Sequence, residues 1–261
     1  MTLHTGKSII VTGGAGSIGF ATAELLAAQG AQLTIVDINA DRLEERGAAL
    51  RHAGAAVELV QADCSKEDAV RGYVDRAVAR FGKVDGFFNN AGTEGKLGPI
   101  WEYSVEEFDR IIAINLRSMF LGLRFVLPLM VAQGYGAVVN TASIASERGL
   151  GGACAYNATK HGVVGLTRTA ATEAGPKGVR INAVMPGVIE TPLLHAMLEQ
   201  MFAGDVAKGL SVLGRVATLD RCGQPAEIGK VVSFLLSDDA SFVNGASWAA
   251  DGGAMATIRN D

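Results

Sequence analysis

The sequence predicts an α/β fold, a doubly wound parallel sheet with helices on both faces, built as a single domain. Three observations predict it. Short β-rich runs alternate with longer helical ones, those runs are apolar throughout rather than at every second residue, and each chemistry-bearing motif stands at the end of such a run. A strand that is apolar on both faces has to be covered on both, which a sheet between two helical layers achieves. Regular alternation then winds the sheet in both directions and puts ligands beyond the carboxyl ends of the strands.

The first strand, 8–12, ends at Thr12, where glycines begin and a helix over 18–28 follows. Strand 32–37 closes on Asp37 and leads to an amphipathic helix over 41–53. Strand 57–61 is followed by Asp63 and a helix over 66–81, and strand 86–89 runs into Asn89-Asn90-Ala91-Gly92. A long helical segment, 105–131, precedes strand 137–141 and Ser143. Helix 155–174 carries Tyr156 and Lys160, and strand 180–184 precedes Pro186-Gly187. Helix 225–236 and strand 247–250 complete the alternation, with no linker or repeat to divide the 261 residues.

Composition limits the partners. Hydrophobic residues are 49% and charged ones 19% of the chain, and the net charge is −4. No basic field exists for nucleic acid or an anionic membrane, so neither is expected. Cys64, Cys154 and Cys222 are odd in number and lack ligand spacing, which predicts reduced thiols in a cytoplasmic protein. His4, His52 and His195 have no carboxylate or cysteine partner at ligand spacing, so no metal is expected. His161 follows Lys160 and faces away from Tyr156. Arg42 and Arg46 are read as solvating their helix. The polar start predicts no targeting segment, and the apolar run 119–131, interrupted by Arg124, reads as a buried core helix.

The loop Thr12-Gly13-Gly14-Ala15-Gly16-Ser17-Ile18-Gly19 joins the first strand to a helix. Glycines there let backbone approach a pyrophosphate, and the helix N-terminus adds N–H donors and the positive end of a dipole. That places a Rossmann-type dinucleotide site at Gly13, Ser17, Ile18 and Gly19. Asp37, 18 residues after Gly19, is set to accept hydrogen bonds from the adenosine ribose hydroxyls and to repel a 2′-phosphate. Ile38, not a cation, comes next, so NAD is expected over NADP. Asp63 is placed to meet the adenine amine. Asn90, Ala91 and Gly92 offer backbone and amide groups beside the nicotinamide ribose.

Tyr156 and Lys160 share a helix face at i and i+4. An unperturbed phenol has a pKa of ~10. A neighbouring ammonium and the positive ring of NAD⁺ are expected to favour the phenolate and bring Tyr156 into the working range as acid/base. Ser143, 13 residues upstream, is placed to hydrogen-bond the substrate oxygen.

In this order, Thr12 to Gly19, Asn89 to Gly92, Asn115, Ser143, Tyr156/Lys160 and Pro186-Gly187 resemble the short-chain dehydrogenase/reductase family, over nearly the whole chain. The resemblance implies that Asn115 completes a catalytic tetrad by holding a water that links Lys160 to solvent. It implies that Pro186, Gly187, Ile189 and Thr191 contact the nicotinamide carboxamide, Ile189 through backbone and Thr191 through its hydroxyl, and that hydride leaves the pro-S face. It also implies a homotetramer, through the helix 111–131 and the segment 240–255. Two features depart from the family pattern. Ser17 stands where the loop usually has its middle glycine, and extra residues separate Gly214-Arg215 from Gly223-Gln224-Pro225.

The resemblance makes 188–219 a lid, with an apolar stripe of Leu193, Leu194, Met197, Leu198, Met201 and Phe202 that either packs or closes over the pocket. Asp85 to Gly92, followed by Glu94-Gly95-Lys96, is similar to the family's dehydrogenases of cyclic ketones and alcohols. Glu94, Ser143, Ile144, Cys154 and Leu194 are the substrate candidates. No arginine cluster marks a phosphorylated substrate, so a small or medium apolar, possibly cyclic, alcohol or ketone is expected. An NADPH-dependent oxoacyl-type reductase and a non-catalytic dinucleotide-binding protein are the competing readings; Asp37 argues against the first and the intact tetrad against the second.

Overall fold

The computed structural model describes residues 2–256. Its seven strands are β1 (Ser8–Thr12), β2 (Gln32–Asp37), β3 (Val57–Gln61), β4 (Gly86–Asn89), β5 (Gly136–Thr141), β6 (Val179–Pro186) and β7 (Ser247–Ala250). They form one sheet in the order β3-β2-β1-β4-β5-β6-β7. Each neighbouring pair is parallel. The winding reverses between β1 and β4, which opens a crevice above their carboxyl ends.

The apolar runs are explained by two cores. Ile10, Val36, Phe87, Val138 and Ile181 pack on one face against α3 (Glu67–Phe81), α5 (Ser118–Gln133) and α6 (Cys154–Ala174). Their strand neighbours Ile9, Val11, Ile35, Phe88, Val139 and Val184 pack on the other against α1 (Ser17–Ala28), α2 (Ala40–His52) and α9 (Pro225–Leu236). Successive side chains on a strand point to opposite faces, so both faces demand apolar residues.

The segment expected as one helix over 105–131 is interrupted. α4 (Val105–Ile112) passes into a π-helical turn, Ala113–Arg117, before α5 begins. The continuous stretch Val105–Gln133 is long and apolar enough to cross a membrane, with a mean hydropathy of 1.5. Here it serves the core instead: Met119, Leu121, Leu123, Val126 and Met130 are buried against sheet and helices.

Two helices that the sequence pattern did not delimit, α7 (Pro192–Met201) and α8 (Val206–Gly214), occupy the expected lid segment. Leu198 is fully buried, and a Cβ added at Gly209 would press on Leu198 and Phe202. Part of the apolar stripe is therefore helix packing. The side chains of Leu193 and Met201 lie outside the described residues.

Candidate active site

At the end of β1 the chain turns sharply. Gly13 sits at φ 62°, and a side chain there would come within 3.0 Å of the Ala91 backbone. A Cβ at Gly19 would overlap the carbonyl oxygen of Gly13. Ser17 is the first residue of α1, after Gly16 as its extended N-cap. The departure from glycine at 17 is thus absorbed by helical backbone, and Gly13, Gly16, Ser17, Ile18 and Gly19 line one cleft.

Asp37 ends β2 over this loop. Its Oδ2 accepts from the Ala15 N–H at 3.0 Å and its Oδ1 from the Asn39 N–H at 3.0 Å. Arg42 does not merely solvate its helix, as expected from sequence: Nη2 donates to the Ala15 carbonyl at 3.0 Å, and the residue lines the cleft. Arg46 lies 4.3 Å over the Phe20 ring. Arg42 bonds the loop backbone while remaining exposed, and the half-buried Arg46 covers the Phe20 ring.

The ends of β1, β4 and β5 are tied together. Thr12 Oγ1 accepts from the Asn90 and Ala91 N–H groups at 2.9 and 3.1 Å, and Asn90 Nδ2 donates to the Thr12 carbonyl at 3.0 Å. Thr141 Oγ1 donates to Asn90 Oδ1 at 3.0 Å. The Asn90 amide, expected to face the ribose, is therefore engaged with the scaffold. Thr141 was missed in the sequence; its place at a strand end, level with Thr12, is the signal. Asp63 lies two residues beyond β3 and its Oδ1 accepts from the Ser65 N–H at 2.9 Å.

Two cavities share Gly13, Asp37, Gly92 and Thr93. One, about 380 Å³, runs from the glycine loop past Asn90 to Thr141, Tyr156, Lys160 and Thr191. The other, about 530 Å³, is walled by Ile38, Asp63, Cys64, Lys66 and Ile114. Together they form one elongated crevice along the carboxyl ends of the strands. Burial and the carboxylates of Asp37 and Asp63 push the Cys64 thiol up to about 12.

Tyr156 and Lys160 lie near the start of α6, and the Lys160 ammonium is 5.5 Å from the Tyr156 ring centroid. Lys160 donates to the Thr141 carbonyl at 2.8 Å, and burial lowers its pKa to about 8 against a raising contribution from Glu94. The protein's own groups around Tyr156 raise its pKa. Burial raises it, the Glu94 charge raises it further, and only a hydrogen bond from Ser143 pulls it down. Desolvation is the largest of these effects, and the Lys160 ammonium directs a proton at the Thr141 carbonyl.

Ser143 caps the short 3₁₀ turn Ile144–Ser146. Its Oγ accepts from the Ala145 N–H at 3.1 Å while its own N–H donates to Ser146 Oγ at 3.2 Å. That reciprocal cap fixes the hydroxyl and leaves its proton for the phenol. Asn115 projects from the π-helical turn and is fully buried. Its Oδ1 accepts from the Thr93 N–H at 2.8 Å, and Nδ2 donates to the Thr93 carbonyl at 2.7 Å and to Thr159 Oγ1 at 3.4 Å. Thr93, its backbone partner, was also missed.

Glu94 lines the same cleft as Tyr156 and Lys160; the cleft walls raise its pKa, and Lys160 lowers it. Ile144, Cys154 and Leu194 do not line that cleft. At the far end, the Gly187 N–H donates to the Ala250 carbonyl at 3.1 Å, just beyond Pro186, which ends β6. Ile189 pairs with Gly223 in an isolated bridge. Thr191 caps α7 by accepting from the Leu194 N–H at 3.2 Å. His195 has a carboxylate partner that ligand spacing does not reveal: its Nε2 lies 2.8 Å from Oε1 of Glu190, whose Oε2 accepts from Gln224 Nε2 at 2.7 Å. The partner is five residues away, off the regular helical spacings. No cluster of three metal-ligating side chains occurs among the described residues.

Residues 13–255 match a family model described as enoyl-(acyl carrier protein) reductase. Levodione reductase of Leifsonia aquatica is 46% identical, over 98% of this chain and 96% of its own length. Cyclohexanol dehydrogenase of Acinetobacter sp. (strain SE19) is 38% identical over 94% of each chain. The crystal structure of NAD⁺-bound xylitol dehydrogenase superposes with a TM-score of 0.90 at 36% identity, covering 95% of this chain and 99% of the other. With its seven-stranded parallel sheet and its Tyr156 and Lys160 in the cleft, the chain belongs to the short-chain dehydrogenase/reductase family.

Proposed function

We propose that the chain is an NAD(H)-dependent oxidoreductase that interconverts a secondary alcohol and its ketone, with a small or medium, apolar and cyclic substrate. The observation that carries this reading is one cleft holding the glycine loop and Asp37 at one end and Tyr156 and Lys160 at the other. The names of the cyclohexanol dehydrogenase and levodione reductase relatives support the substrate class. The NAD⁺-bound state of the xylitol dehydrogenase structure supports the cofactor.

The residues fit that cofactor. Gly13 gives backbone access because no side chain is tolerated against Ala91. Asp37 keeps lone pairs for the ribose hydroxyls beyond its two N–H bonds, Asp63 stands in the second cavity, which takes the adenine, and Pro186, Gly187, Ile189 and Thr191 frame the carboxamide end. Bound NAD⁺ supplies the hydride acceptor and a positive ring charge near the phenol.

In alcohol oxidation the Tyr156 phenolate accepts the hydroxyl proton while Ser143 donates to the substrate oxygen; in ketone reduction the phenol returns that proton. Lys160, held by Thr141, carries positive charge at the cleft floor and passes protons toward Asn115 through water. Glu94 contacts the substrate at the entrance, and Ile144, Cys154 and Leu194 join the pocket on closure of the lid 188–219. The three free cysteines support a reducing, cytoplasmic setting. Exposed Phe120, Val131, Phe242 and Trp248 support assembly as a homotetramer.

The test is a spectrophotometric screen of NADH oxidation against cyclic and acyclic ketones, run in parallel with NADPH. Turnover of cyclic ketones with NADH is the expected result. Activity confined to acyl thioesters with NADPH would replace this reading with the oxoacyl-reductase one.

A further inference from the structure

Glu94 reaches the cleft of Tyr156 and Lys160 from a short turn that is gripped along one helical rod. Glu107 and Ile111 of α4 and Asn115 of the π-helical turn follow one another one turn apart. The segment 93–96 runs back along them. Asn115 holds Thr93 by both main-chain groups, accepting from its N–H at 2.8 Å and donating to its carbonyl at 2.7 Å. Gly95, at φ 76°, lies against Ile111, where a Cβ would come within 2.6 Å of the side chain. Lys96 is also held by both main-chain groups: its N–H donates to Glu107 Oε1 at 3.0 Å, and its carbonyl accepts from the Tyr103 hydroxyl at 3.0 Å. Glu94, between the two holds, is exposed on the cleft wall, so its place depends on the backbone that carries it.

Glu107 is itself well fixed. Its N–H donates to Ser104 Oγ, the N-cap of α4, at 3.2 Å. Arg110 grips its carboxylate with a fork, Nε to Oε2 and Nη2 to Oε1, each at 2.8 Å. The fork sets the carboxylate plane and leaves a lone pair of Oε1 for Lys96, in a charge-assisted bond. With Arg110 exposed, the ion pair alone adds little to stability.

We propose that Glu107 is a positioning residue for Glu94: it fixes one end of a two-residue span whose other end Asn115 fixes, and so keeps the Glu94 carboxylate beside Lys160 and Tyr156. This rests on the dehydrogenase reading above, in which Glu94 meets the substrate. The titratable groups facing Glu94 are Lys160 and Tyr156 of α6, and those facing Glu107 are Lys96, Arg110 and Tyr103. With Lys96 released, Glu94 swings toward water, where its charge is screened from the pair.

The test compares wild type with Glu94→Gln, Glu107→Ala, Glu107→Gln and the double variant Glu94→Gln/Glu107→Ala, each checked for folding by far-UV circular dichroism. Two quantities are read: exchange of the Lys96 amide by NMR, and log kcat/KM against pH for oxidation of cyclic and acyclic alcohols, cyclohexanol among them, with NAD⁺. Lys96 should exchange at least ~10-fold faster in Glu107→Ala than in wild type, as loss of its hydrogen bond implies. The oxidation profile of Glu107→Ala should move to lower pH, in the direction of Glu94→Gln. Glu107→Gln, whose amide oxygen still accepts from Lys96, should keep the wild-type profile and exchange. Both variants at 107 leave Arg110 without its carboxylate, so that loss cannot account for a difference between them. In the Glu94→Gln background, Glu107→Ala should add no further shift. A shift that persists in the double variant, a shift shared by Glu107→Gln, an unmoved profile in Glu94→Gln, or equal Lys96 exchange in wild type and Glu107→Ala overturns the proposal while the dehydrogenase reading stands. If no alcohol is oxidised with NAD⁺ or NADP⁺, the dehydrogenase reading fails, and exchange at Glu94 and Lys96 then decides alone whether Glu107 holds the turn.

Discussion

The Lys160 ammonium lies 2.8 Å from the Thr141 carbonyl and 5.5 Å from the centre of the Tyr156 ring. The cation is fixed by the end of a strand rather than by the phenol one helical turn away. Its position is therefore set by the scaffold, and the proton affinity of Tyr156 is left to burial, Ser143 and Glu94.

Replacing Tyr156 by Phe removes the only phenol in the cleft and nothing of the glycine loop. Turnover should fall by ~10³-fold or more, in line with loss of a general acid/base, while NADH binding followed by fluorescence stays within about twofold. Retention of near wild-type turnover would refute the role assigned to the phenol.

Alcohol oxidation requires the phenolate, so its rate should rise with pH; ketone reduction requires the protonated phenol and should fall on the alkaline side. Glu94 raises the pKa of both Tyr156 and Lys160. Glu94→Gln removes that negative charge and lowers both, so the oxidation profile should move to lower pH. The midpoint of log kcat/KM against pH reads this out, and an alkaline shift would show that Glu94 does not act through the pair.

A methyl group at position 19 has no room, because a Cβ would overlap the Gly13 carbonyl. Gly19→Ala should destabilise the fold by about 1–3 kcal/mol, the range for overpacking, and weaken dinucleotide binding by ~10-fold or more. Thermal melts with and without NADH measure both; a variant whose melting point and NADH-induced shift match wild type would show that the loop has slack.

His4 is fully buried beside Ser233, 3.1 Å away, and its pKa is lowered to about 4, by burial first and by Lys7 second. Its folded value lies below the unfolded one, so the stabilisation it gives is complete above about pH 6.5 and is lost as pH falls through 4. The difference amounts to roughly 3 kcal/mol. Urea unfolding between pH 7 and pH 4 should show that loss, and His4→Gln, which keeps a donor for Ser233, should flatten it. Equal slopes for the two proteins would exclude His4 as the source.

Strand ends were legible because a buried parallel strand leaves so plain a signal. Thr12, Asp37, Asn89 and Thr141 close their strands where the apolar runs predict, and the i, i+4 spacing of Tyr156 and Lys160 survives in α6. Side-chain direction was not legible. Arg42 and His195 read as solvated or solitary because their partners, Ala15 and Glu190, lie off the regular helical spacings. The enclosure of Tyr156 was illegible for a related reason: spacing shows the nearby cation but not how deeply the phenol is buried. The break at Ala113–Arg117 left no trace in the pattern, since a π-helical turn keeps the apolar character of the helices it joins.

That break carries a wide turn into what would otherwise be a continuous rod, with Ser118 Oγ bonded to the Ile114 carbonyl at its exit. A π-helical turn is one extra residue accommodated without lengthening the ladder. Deleting any single residue between Ala113 and Arg117 would let the rod regularise and remove the wide turn that carries Asn115. Asn115 would then leave Thr93 and Thr159, although no residue of the tetrad had been replaced. In this protein, the length of a segment is as much a determinant of the site as the identity of the residues in it.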